Sequence, residues 1–166
     1  LVLEKGPSVC SFFRTFPRQR RFISINKSKN LRLDWNSFLD DSVSFRDYTE
    51  ELYPSTDDYL RYAEDFVKRK NLTIRFNYEV TSLERMDNGL FSINGGDYVA
   101  ERVFFGIGLV PREPTINVHP SITVYTYANM PLDREVYRDK TVLIVGAGNA
   151  ALETANYIDS VTHYTI

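Results

Sequence analysis

TVLIVGAGNAALETANYI, running from Thr141 to Ile158, joins three kinds of residue pattern in one order. An apolar run, Val142 to Val145, meets Gly146-Ala147-Gly148-Asn149-Ala150-Ala151 and then a helical periodicity. Strand, tight glycine turn, helix is what a dinucleotide-binding α/β fold requires. Gly146 allows the sharp turn that ends the strand. Gly148 removes a Cβ where a pyrophosphate approaches the backbone, and Ala151 keeps the helix close to the sheet. The N–H groups of the first helical turn are unpaired and the helix dipole adds partial positive charge, so Asn149 lies where a diphosphate would sit. By itself a G-x-G-x-x-A match is also compatible with a plain strand–turn–helix.

Working outward, composition sets the limits. A chain of 166 residues with 43% hydrophobic content can bury one substantial core. A formal net charge of −2 argues against a nucleic-acid groove, and the basic run Arg18-Gln19-Arg20-Arg21 is read as a solvated loop. No apolar run approaches the ~20 residues that span a bilayer. One cysteine, Cys10, excludes an internal disulfide, a C-x-x-C pair and a multi-thiolate metal site. His119 and His163 are the only histidines, so no metal site is expected.

Leu1-Val2-Leu3-Glu4-Lys5-Gly6 reads as a buried strand ending in an acid and then a glycine. In a dinucleotide fold that acid accepts from ribose hydroxyls, ~20 residues after a glycine fingerprint. On this reading the first fingerprint lies upstream of Leu1, and the chain is a fragment that opens inside one nucleotide-binding half and closes inside another. Glu4 as an ordinary surface acid is the competing reading.

Between these ends, Ser8 to Asn30 is loop-like, with Phe12, Phe13, Phe16 and Phe22 among arginines. Such rings suit stacking on a flat heterocycle or a core edge. Asp34 is a suitable N-cap for a short helix carrying Trp35, Phe38 and Leu39. Ser55 and Asp58 have capping-box spacing ahead of Tyr59, Leu60, Tyr62, Ala63, Phe66 and Val67, which predicts a helix leading into a strand at Leu72 to Phe76. From Tyr78 to Phe105 the period drops towards two, with turns at Asp87-Asn88-Gly89 and Asn94-Gly95-Gly96-Asp97, predicting a three-stranded meander. Its last strand breaks at Gly106 and Gly108. Residues 111–131, divided by prolines, read as a connector.

This order of parts resembles the two-dinucleotide flavoproteins, in their flavin-containing monooxygenase-like branch. LVLEKGPSVCSFFRTFPRQRRFISINK from Leu1 and LRLDWNSFL from Leu31 carry the likeness most specifically, and TVLIVGAGNAALETA from Thr141 is shared by many reductases. Within the branch these segments are most similar to flavoproteins of the endoplasmic-reticulum lumen associated with degradation. The resemblance implies an α/β, Rossmann-like fold with the meander inserted. Residues 1–110 would be part of an FAD domain, 111–131 a connector, and 132–166 the start of an NAD(P)-binding domain. It gives Glu4 the FAD ribose and places Phe12 to Phe16 near the flavin. Ser24, Ile25, Asn26 and Lys27 match the stretch beside the isoalloxazine, and Val80 the backbone facing the adenine. Gly106 and Gly108 match the glycine break returning to the flavin, although this chain has Gly106-Ile107-Gly108 where the family usually has Ala-Thr-Gly. Gly146, Gly148, Asn149 and Ala151 match the nicotinamide-nucleotide fingerprint.

The implied activity is an FAD-dependent oxidoreductase fed by NAD(P)H, with NADPH favoured by resemblance. In a monooxygenase Asn26 is a candidate hydrogen-bond donor to a flavin–oxygen adduct; an asparagine in a surface turn reads the same way. A disulfide reductase would need a cysteine pair from elsewhere. A flavin-containing binding module for luminal redox or degradation partners is the reading from another class. Two sequons, Asn26-Lys27-Ser28 and Asn71-Leu72-Thr73, are compatible with a secretory compartment, though a glycan on Asn26 conflicts with a flavin-facing role.

Overall fold

The computed structural model describes residues 1–23, 43–108 and 115–166. The chain divides into two compact units: Leu1–Thr15 with Phe22–Pro111, and Phe16–Arg21 with Arg112–Ile166. The helix expected around Trp35 lies outside the described residues.

The first unit is built on a strand–helix–strand crossover. Strand β1 (Val2–Leu3) pairs in parallel with β2 (Ile74–Arg75), and helix α1 (Thr56–Arg69) lies between them in sequence. Ser55 caps α1 in extended conformation, its Oγ accepting from the Asp58 N–H at 3.1 Å. Asp57 and Asp58 at the start and Lys68 and Arg69 at the end complement the helix dipole. Leu60, Tyr62 and Ala63 are buried as the periodicity requires, with Phe45 fully buried beside them. The Tyr59 ring meets Phe13, Phe22 and Phe45 edge-on at 5.2–5.4 Å. Burial pushes the Tyr59 phenol up to about 12, with Cys10 and Tyr62 adding to the shift.

Helix α1 ends in a reciprocal backbone lock. Asn71 takes a left-handed conformation (φ 48°), its N–H bonds the Lys68 carbonyl at 3.1 Å, and the Leu72 N–H bonds the Val67 carbonyl at 3.0 Å. This is a Schellman motif with asparagine in the usual glycine position. Leu72 and Thr73 are spent on leaving the helix, so β2 is shorter than the Leu72 to Phe76 run predicted.

The meander forms as expected: β3 (Leu83–Arg85), β4 (Phe91–Ile93) and β5 (Tyr98–Ala100) pair antiparallel in the order β3-β4-β5. The last strand is a correction to its length. Its predicted run to Phe105 stops at Ala100, and Phe104, Phe105 and Ile107 are 92%, 71% and 85% exposed. An apolar run becomes a strand only where a neighbour supplies a ladder, and none of the described residues does.

The second unit repeats the crossover. Strand β6 (Thr141–Val142) pairs in parallel with β7 (Tyr164–Thr165), with helix α2 (Asn149–Ile158) between. Backbone bonds from Ile166 to Val142 (2.9 Å) and from Ile144 to Ile166 (2.8 Å) carry the pairing past the strands. Ile158, Met130 and Tyr137 are its buried apolar centre. The basic loop is fastened here rather than left in solvent. The Arg18 guanidinium donates to the Met130 carbonyl at 2.7 Å, and the Tyr127 hydroxyl accepts from the Arg18 N–H at 3.0 Å. Residues 115–131 contain no helix or strand.

Removing the Phe45 ring should cost about 3–5 kcal/mol, because a fully buried phenyl leaves a cavity that the surrounding rings cannot fill. Urea unfolding of Phe45→Ala checks this, and a loss below about 1 kcal/mol would show that the aromatic cluster is not the core of its unit.

Candidate functional site

In a parallel crossover the loops at the carboxyl ends of the strands form the binding crevice. Glu4 stands at that end of β1. Its N–H bonds the Arg75 carbonyl at 2.9 Å, its carbonyl accepts from the Tyr78 N–H at 3.0 Å, and its carboxylate accepts from the Gly6 N–H at 2.7 Å. Gly6 is required by contact rather than by φ: a Cβ there would lie 2.1 Å from Ser11 Oγ and 2.7 Å from Glu4 Oε1. The carboxylate is thereby oriented, with further acceptor capacity to offer. Lys5 and Glu79, 2.6 Å apart, tie the two strand ends together at the surface.

The loop after β2 is held by one side chain. Asn94 Oδ1 accepts from the N–H groups of Thr81 (2.8 Å) and Ser82 (3.2 Å), while its Nδ2 donates to the Glu79 carbonyl (2.8 Å) and the Tyr78 hydroxyl (3.1 Å). Every contact skips Val80. The Val80 N–H and C=O therefore make no hydrogen bond to a described residue. A neighbouring donor and acceptor left open on fixed backbone can read the edge of a heterocycle.

Arg75, Tyr78, Asp97 and Tyr98 line a separate open depression. It is walled by edge-on Tyr78 and Tyr98 rings at 5.4 Å, and it includes none of the expected cofactor residues. Phe12 sits on the exposed rim of the aromatic cluster, edge-on to Phe13 at 5.3 Å. Cys10 has a left-handed backbone, and its thiol is pushed up first by burial and then by the Glu4 carboxylate. Gly106 and Gly108 lie in open space, and only Gly108 needs glycine for its φ of 68°. Ser24, Ile25, Asn26 and Lys27 lie outside the described residues.

In the second unit Gly146 has a φ of 129°, which L-residues rarely adopt, so the backbone itself requires glycine there. Gly148 differs. It caps α2 with φ −81°, open to any residue, and a Cβ on it would touch nothing within 4 Å. Among the described residues nothing calls for glycine at 148, and the absent Cβ leaves room for a group approaching from outside. The Ala151 and Leu152 N–H groups turn back to the Gly148 carbonyl (3.0 and 3.1 Å), leaving those of Asn149 and Ala150 directed off the helix start. No acid stands in that first turn. The residues present fit a diphosphate.

Glu4 and Val80 thus belong to the first unit, while Gly146, Gly148, Asn149 and Ala151 belong to the second. The sequence shows Gly6 only as the glycine after the acid and Asn94 only as a turn residue; their positioning roles come from the structure. Asn94 stood in an Asn-Gly-Gly-Asp turn, where a structural role explains the residues fully; its capture of a loop twelve or more positions away has no local signature.

Crossover, acid-ended strand and glycine-turned helix define a Rossmann-like α/β class of protein. Over residues 1–162 the chain matches the family described as pyridine nucleotide-disulphide oxidoreductase, and it belongs to that family. Among curated proteins it is similar to FAD-dependent oxidoreductase domain-containing protein 2. The likeness is 37% identity over 175 residues in Danio rerio, covering 95% of this chain and 25% of that protein. In Mus musculus it is 34% over 183 residues, covering 98% and 27%. The chain spans about a quarter of the length of these curated relatives. Bacillithiol disulfide reductase from Staphylococcus aureus matches in structure with a TM-score of 0.70 at 22% identity, over 99% of this chain and 47% of that one. That likeness shows the fold, a mixed helix-and-sheet Rossmann-like arrangement.

Two measurements check this geometry. Asn94→Ala should cost about 1 kcal/mol, since water can replace part of the lost bonding, and amide exchange at Thr81 and Ser82 should quicken; unchanged exchange would remove Asn94 from its role. Cys10 should stay a thiol at neutral pH, with its alkylation rate rising only above the pH that suffices for free cysteine, and Glu4→Gln should move that rise back down. Because the folded value is raised, the stability linked to Cys10 is full below the unfolded pKa and is lost as pH climbs through the folded one.

Proposed function

We propose that this chain is the cofactor-binding part of an FAD-dependent oxidoreductase reduced by NADPH and resident in the endoplasmic-reticulum lumen. Residues 1–110 would serve FAD and residues 132–166 the nicotinamide nucleotide. The observation that carries the reading is Gly148: neither its backbone angles nor its neighbours need a glycine, so its missing Cβ answers to a ligand. Family membership supports the flavin. The luminal placement rests on the resemblance described above and on the two sequons.

Once bound, the two cofactors would supply hydride donor and acceptor, and the chain's task is to hold them. The Glu4 carboxylate, steadied by the Gly6 N–H, would accept from ribose hydroxyls. Val80 would offer its N–H and C=O to the adenine edge. Asn149 and Ala150 would donate to the pyrophosphate of the nicotinamide nucleotide, helped by the dipole of α2. With Cys10 its only thiol and that thiol held protonated, the chain provides no dithiol relay. Electrons leaving the flavin would go to an acceptor outside these residues.

In the full-length protein, NADPH added without oxygen should bleach the bound flavin. Gly148→Val should abolish the bleaching while FAD uptake is retained. Glu4→Gln should weaken FAD binding by about 10- to 150-fold, the worth of a hydrogen bond to a charged group. A flavin that stays yellow under NADPH would mark a binding module instead, and a protein that takes up no FAD would end the reading.

A further inference from the structure

We propose that Asn71 is an N-glycan acceptor, and that the α1–β2 corner is built to present it. The inference rests on the luminal placement proposed above. Asn71-Leu72-Thr73 is a sequon, and all three residues are exposed at the turn leaving α1. The Schellman lock uses only backbone: the Asn71 N–H goes to Lys68, the Leu72 N–H to Val67, and the Thr73 carbonyl to the Val2 N–H at 2.9 Å. Neither the Asn71 amide side chain nor the Thr73 hydroxyl bonds a described residue. The left-handed φ accounts for asparagine at 71, because asparagine is the second choice after glycine at such a helix end. Nothing in the fold accounts for a hydroxyl two positions on. An acceptor site needs both groups, the amide as nucleophile and the hydroxyl within the sequon.

The transfer is balanced with a lipid pyrophosphate-linked oligosaccharide as donor. The Asn71 amide nitrogen bonds the anomeric carbon, the bond from that carbon to the pyrophosphate oxygen breaks, the lipid pyrophosphate leaves, and the nitrogen loses one proton. A glycan here would stand clear of Glu4 and Val80, since the α1–β2 corner is at the amino end of β2 and those residues flank its carboxyl end. It would also cover part of the exposed Leu72 side chain.

The test expresses the full-length protein in secretory cells twice, with its own targeting and with a heterologous leader. Peptide N-glycosidase F then leaves aspartate at position 71, read by peptide mass, where a glycan was present. Occupancy in both forms is expected. Asn71→Gly, which keeps the left-handed turn, and Thr73→Ala should each lose the glycan at 71 with the thermal midpoint unchanged. A leader-directed protein that reaches the lumen without a glycan at 71 overturns the inference. Occupancy with the leader but residence outside the lumen under its own targeting overturns the luminal placement, and natural occupancy with it.

Discussion

Two strands that run the same way cannot be joined by a tight turn, and most of this molecule follows from that constraint. To bring β1 beside β2 the chain must cross over, and the crossing is stable only if its helix buries a face. Helix α1 does so with Leu60, Tyr62 and Ala63 against Phe45, and its exit through Asn71 aims the chain at β2. The same solution appears in β6, α2 and β7, with Ile158 as the buried anchor. In each unit the crossover carries the strands' carboxyl ends to one edge, where backbone groups run out of ladder partners. Those open backbone groups are thus a by-product of how parallel strands are connected.

What turns loose backbone into defined donors and acceptors is a small set of side chains that stand in for a missing ladder. Asn94 reaches from the β4–β5 turn to hold Glu79, Thr81 and Ser82, which leaves Val80 open between fixed neighbours. Gly6 acts by being small: its N–H fixes the Glu4 carboxylate, and Ser11 fills the space a side chain would need. Neither residue is chemically reactive. Each sets the position of a hydrogen-bonding group beside it.

Patterns that close within a few residues were legible in the sequence. The Ser55 cap, the face of α1, the order of the meander and the glycine turn before α2 each follow from near neighbours. Where the outcome depends on a distant partner, local reading erred. Val103 to Ile107 has strand composition but no ladder among the described residues, and Phe104, Phe105 and Ile107 lie exposed. Arg18 resembles a solvated loop residue, yet Met130 and Tyr127, more than a hundred positions away, hold it. Asn94 was hidden for a different reason, because a turn already explained it. Gly146 and Gly148 were both legible as a pair, but only coordinates separate them, one required by its own φ and the other by neither φ nor packing.

That separation bears on how much chemistry the chain must supply. A family whose description includes disulphides suggests thiols at work, yet Cys10 is single, partly buried and set beside a carboxylate that disfavours its ionised form. A nucleophilic thiolate is stabilised by the opposite surroundings, a nearby cation or a helix start. Of the two described α-helices only α2 starts without an acid, and there Asn149 and Ala150 direct their N–H groups outward. The start of α2 carries the helix's partial positive charge, while Cys10 is disfavoured as a thiolate first by burial and then by the Glu4 carboxylate. Both effects keep Cys10 in its thiol form.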